Sequence, residues 1–74
     1  MAENLQYLVA VAALAEAPAR GSRWLHRAKG MAVVVGDCCL IEATLTPAVV
    51  YRESYDGPAW CRPLKDFLDR FEEF

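Results

Sequence analysis

No stretch of this chain is long and apolar enough to cross a bilayer as a helix. The longest uncharged apolar run, Tyr7 to Ala15, is nine residues, against the roughly 20 that a span needs. Cysteine is scarce and odd in number, Cys38, Cys39 and Cys61, which excludes the fully paired disulfide framework of small secreted domains and fits a reducing cytoplasm. Leu8 to Ala15 has the texture of a secretory leader core, with Ala15-Glu16-Ala17 as a cleavage site. The residues before it hold Glu3 and neither lysine nor arginine, so a leader is not expected. Net charge is small, −2, with 55% hydrophobic residues, which excludes an intrinsically disordered chain. At 74 residues one core supplies roughly 3–5 kcal/mol, too little to build two lobes around a cofactor.

What is present reads as a single α+β domain, 1–74. Residues 1–20 form an N-terminal helix and connection, 21–62 a β-meander and 63–74 a C-terminal helix. The first segment, NLQYLVAVAALAE over residues 4–16, places Leu5, Leu8, Val9, Ala12 and Ala13 at helical spacing, while Tyr7 to Val11 also suits a strand. Asn4 is expected to cap it, Glu3 suits its dipole, and Pro18 and Gly21 end it.

From Met31 the texture changes to short apolar runs, MAVVV, CCLIEATL, AVVYRESY and AWCR, separated by Gly36-Asp37, Thr46-Pro47 and Asp56-Gly57-Pro58. This pattern predicts about four antiparallel strands, with tight turns at Gly36-Asp37 and Asp56-Gly57. In the third run Val49, Tyr51, Glu53 and Tyr55 share one face, and Val50, Arg52 and Ser54 the other. The last segment starts at Pro63 and places Leu64, Phe67, Leu68 and Phe71 at i, i+3, i+4 and i+7, an amphipathic helix that should cover the sheet. Tyr51, Trp60, Phe67 and Phe71 are expected in the core.

Trp24-x-His26, a basic residue and Gly30, a Val-rich strand, Val49-Val50-Tyr51-Arg52 and then Trp60-x-Arg62-Pro63-Leu64-x-x-Phe67 together resemble the bacterial and phage family called domain of unknown function 1653. The likeness covers about residues 24–67. It departs at Val33, where the family has an aromatic residue, and around Glu42 to Thr46. The resemblance implies a small, partly open SH3-like barrel, found alone and in phage genomes, with no catalytic residues to carry over.

No motif identifies a reaction, so the expectation is a non-enzymatic binding protein without cofactor or metal. Cys38, Cys39, Cys61 and His26 are zinc-ligand types, but adjacent cysteines in a strand point to opposite faces and cannot converge on one ion. A nucleophilic pair of Cys61 and His26 lacks a third orienting residue and an oxyanion-binding loop. Charge is divided: residues 17–30 carry Arg20, Arg23, Arg27 and Lys29 without an acid, while residues 37–74 hold eight acids and four bases.

Two binding readings follow. The favoured one is protein–protein contact through an acidic helix face of Asp66, Asp69, Glu72 and Glu73. Such a face could mimic nucleic-acid phosphates in a phage or mobile-element accessory or anti-defence protein. The alternative is an SH3-like nucleic-acid-binding module in which Arg20, Arg23, Arg27 and Lys29 hold phosphates and Trp24 stacks on a base. The expected state is a monomer or a homodimer, the latter through a sheet edge or the apolar N-terminal helix.

Overall fold

The structure, a computed structural model, describes residues 2–54 and 56–74, with side chains from Leu5 onward. Helix α1 (Ala2–Ala13) runs into a short 3-10 turn (Leu14–Glu16). Strands β1 (Arg23–His26), β2 (Met31–Ile41), β3 (Thr46–Arg52) and β4 (Trp60–Pro63) follow, then helix α2 (Leu64–Arg70) and strand β5 (Phe71–Glu73). All pairings are antiparallel and the spatial order is β4-β3-β2-β1-β5. The protein is therefore an α+β domain with an open five-stranded sheet. The meander is present as β1 to β4, but the sheet does not close into a barrel.

The N-terminal helix lies where its spacing placed it, with one correction. The helix already starts at Ala2, so Asn4 lies within α1 and not at its first boundary.

The second correction concerns Gly36-Asp37. It is no hairpin: β2 runs through it, and the register against β3 steps from Val35↔Tyr51 to Asp37↔Val50. The residue left unpaired is Gly36, the extra residue of a β-bulge. The bulge has a packing purpose. Val33 and Val35 are buried, and strict alternation would next turn Asp37 inward. The inserted residue shifts the phase by one, so Cys38 packs against the core instead, opposite Val49, and Asp37 is exposed.

A third difference is β1, which sequence reading left within a basic connection. Trp24 and His26 turn toward the core, and Gly30, with φ +67°, closes the turn to β2 by donating its N–H to the His26 carbonyl at 2.8 Å.

The C-terminal helix is shorter than its periodicity predicts. Phe71 leaves it at φ −116° and ψ 152° and starts β5, which pairs with β1 through His26↔Phe71, Leu25↔Glu72 and Trp24↔Glu73. Arg27 is the reason on the structural side. Its backbone N–H donates to the Arg70 carbonyl at 3.1 Å, and its guanidinium donates to the carbonyls of Asp69 and of Phe71, the latter at 3.3 Å. These bonds take up carbonyls that a continuing helix would use, while the open edge of β1 offers β5 a ladder.

The core is one cluster of Val33, Val35, Val49, Tyr51, Leu64, Phe67 and Phe71, with Ala17, Trp24 and Cys38 packed against it. Phe67 and Phe71 stack at 4.3 Å with their planes 8° apart, and Trp24 meets Phe67 edge-on at 5.2 Å. Trp60, expected in the core, stands 48% exposed on edge strand β4. No described helix is long and apolar enough to cross a membrane.

Candidate functional site

The acidic set does not form one face. Asp66 is tied within the protein, accepting from Arg62 at 2.6 Å and from Arg70 at 2.9 Å. Hydrogen bonds from Arg70 and then Arg62 hold its carboxyl below the usual carboxylate range. Asp69 is exposed on α2. Glu72 and Glu73 belong to β5, where neighbouring side chains point to opposite sides of the sheet. The helix face that would have displayed all four acids ends at Arg70, because the chain turns into a strand there.

The basic set is also divided. Arg20 pairs with Asp37 at 3.3 Å, and Arg27 is the clamp on the C-terminal segment. Trp24 is half-buried against Phe67 and donates its indole N–H to Ser22 Oγ at 2.9 Å, so its ring is a core anchor rather than a stacking platform. Among the described residues, Arg23 and Lys29 are the two members of the set in no ion pair or side-chain hydrogen bond.

His26 is buried, receives the Lys29 backbone N–H on Nδ1 at 3.2 Å and meets the Phe71 ring edge-on at 4.8 Å. It lines a small hollow of about 190 Å³ that Trp60 and Arg62 also border. In that hollow the Arg62 guanidinium lies 5.7 Å from the Phe71 ring centre and donates to the Tyr51 hydroxyl at 3.3 Å. Cys61, between Trp60 and Arg62 on β4, alternates to the other side of the sheet, away from the imidazole. Cys38 and Cys39 likewise take opposite faces of β2. Burial, then the neighbouring Asp37 and Cys39, pushes the Cys38 thiol up; burial, then Cys61, does the same to Cys39. Both shifts favour the unreactive thiol over the thiolate. No group of three or more metal-ligand side chains converges among the described residues.

An exposed apolar face lies on α1, the helix named above as one of two surfaces for a homodimer. Leu5, Leu8, Val9 and Ala12, four of the residues placed at helical spacing, point to solvent: Leu5 is 64%, Leu8 61% and Val9 62% exposed. Tyr7 and Val11 are exposed as well, and among the described side chains of α1 Ala10 is the buried one. The helix is apolar on both sides, and its own domain covers one of them. An all-round apolar helix is normally buried on all sides. The signal was present as the lack of any charged residue between Asn4 and Ala15.

Between α1 and the rest of the fold runs an apolar groove of about 620 Å³, bordered by Leu5, Val9 and Ala10 on the helix and by Leu45, Pro47, Pro63 and Leu64 opposite. Leu45 sits in the β2–β3 turn at φ 54°, a left-handed conformation that costs a non-glycine residue roughly 1–2 kcal/mol. Glycine or asparagine would suit that backbone better. Leucine there adds a branched apolar side chain to the groove wall.

In comparison with known proteins, the chain matches no family model, no curated protein and no solved structure.

Proposed function

We propose that this protein is a small non-enzymatic binding module that acts through protein–protein contact, with α1 as its contact element. The observation that carries the reading is the outward apolar stripe Leu5-Leu8-Val9-Ala12. A contiguous apolar surface of this kind on a small domain marks an interaction site. The sheet edges are poorer candidates. β4 is four residues long and ends in Pro63, while β5 is three residues with two glutamates, the short, charged, proline-bearing edges that resist strand addition.

An acidic surface acting as a phosphate mimic would need its carboxylates together, so the contact role rests on α1 and not on Asp66, Asp69, Glu72 and Glu73. The three free thiols are in keeping with a cytoplasmic setting.

Affinity capture with the full chain and its Leu8→Glu variant, each with and without nuclease, tests the reading. Leu8 is exposed, so the variant should keep the native circular dichroism. The expected result is a stoichiometric protein complex that survives nuclease and is lost in L8E. Capture unaffected by L8E would overturn the reading. Loss on nuclease treatment would do so too, and would turn attention to nucleic acid at Arg23 and Lys29.

A further inference from the structure

Resting on the contact role of α1, we infer that the partner this helix fits is a second copy of the same chain, paired antiparallel about a two-fold axis. Three observations lead there. The first is the order of the stripe itself. Positions 5, 8, 9 and 12 read the same in both directions, so reversing a second helix on the first sets Leu5 against Ala12 of the second copy and Leu8 against Val9. Each contact recurs across the axis, and the outer one matches a large side chain to a small one, the self-complementarity that an isologous interface requires.

The second observation is electrostatic. From Leu5 to Ala15 the chain carries no charge, so bringing two such faces together strands no buried ion. Two antiparallel helices also set their dipoles head to tail.

The third is size. Leu5, Leu8 and Val9 are 64%, 61% and 62% exposed, and Val11, one turn on from Leu8, is 40% exposed, an apolar patch of roughly 400 Å² on one side of α1, within the range of the largest patch on a monomer. Two such faces, with the groove rims at Leu45 and Pro47, come to roughly 1,000 Å², the size of a weak, concentration-dependent contact. The single chain has the matching deficit. Its radius of gyration is 13.0 Å and its long axis 43 Å, whereas a compact chain of this length has a radius of ~11 Å. Packing a second copy on α1 gives the projecting helix the cover it lacks.

Sedimentation equilibrium on the purified full chain from 1 to 200 µM is the test. The expected result is a species of twice the 8.3 kDa chain mass, with L8E raising the dimer dissociation constant at least ~100-fold, because each substitution acts twice across the axis. Its circular dichroism should stay native. A second measurement fixes the register. With Cys38, Cys39 and Cys61 changed to alanine, Leu5→Cys combined with Ala12→Cys should form a disulfide-linked dimer under mild oxidation, and Leu5→Cys alone should not.

A wild-type chain that stays monomeric at 200 µM overturns the inference. If L8E still abolishes capture of a different protein, the contact role of α1 stands without it. A dimer indifferent to L8E overturns the inference as well, by placing the interface elsewhere, and capture indifferent to L8E fails the underlying reading.

Discussion

Replacing Phe67 by alanine should unfold this protein. The ring is fully buried and touches three others, stacked on Phe71 at 4.3 Å, edge-on to Trp24 at 5.2 Å and tilted to Tyr51 at 5.4 Å. Truncating a buried phenylalanine costs about 3–5 kcal/mol, from lost transfer energy and the cavity left behind. Aromatic pairs add ~0.5–1.5 kcal/mol each beyond their area, so the upper half of that range applies here. A single core in a chain this short provides about the same amount in total, so the folded state of F67A should be a minority species at 25 °C. Phe67→Leu, which keeps most of the volume, should lose about 1–2 kcal/mol and remain folded.

Urea titration followed by tryptophan emission is a direct assay, because Trp24 lies against the substituted ring while Trp60 is half-exposed. It should be run near 1 µM, so that association adds little to the apparent stability. A cooperative F67A transition within about 1 kcal/mol of the wild type would refute the view that this aromatic stack is the centre of the fold.

Leu45→Asn should relieve left-handed strain of roughly 1 kcal/mol in the β2–β3 turn. Measured in the L8E background, its urea midpoint should be equal or higher; a clear fall would mean that the groove contact outweighs the strain. Asp66 has a carboxyl pKa lowered by its arginine partners, so it contributes stability that is present above the unfolded carboxylate pKa and is lost as pH falls through the lowered value. Asp66→Asn should therefore flatten the urea midpoint's dependence on pH below about 5, and parallel curves for the two proteins would contradict the pairing. The thiols should react with a disulfide reagent at neutral pH in the order Cys61 first and Cys38 last, since burial and the neighbouring Asp37 raise Cys38. Equal rates at Cys38 and Cys61 would count against that placement.

Much of the fold follows from patterns that one segment carries alone. The helical spacing in residues 4–16, the alternation that buries Val49 and Tyr51, and the start of a helix after Pro63 each need no distant partner. The misread places are those where a partner decides. A glycine followed by aspartate serves a tight hairpin and a bulge equally well, and what selected the bulge is the need to keep Asp37 out and Cys38 in across from Val49. Residues 23–26, with a charge at one end, look like a connection until β2 and β5 pair with them. Phe71 fits helical periodicity, but Arg27, more than forty residues earlier in the chain, draws it into a strand. The candidate site was half legible. Periodicity revealed the stripe on α1, and it could not say that the stripe faces away from its own sheet, because a period records which residues share a side and not what that side meets.

The pairing of β5 with β1 also bears on how the domain is made. The β2–β3 ladder joins neighbours across a short turn and can form early, whereas His26↔Phe71 joins residues far apart in the chain, a slow closure. Phe71 is itself part of the core, so during synthesis the core stays incomplete until β5 has left the ribosome. Until then β1 has an open edge and Phe67 lacks its stacking partner. The nascent chain holds its apolar surface exposed over that interval, and folding is expected to follow synthesis of β5 instead of accompanying the strands as they emerge.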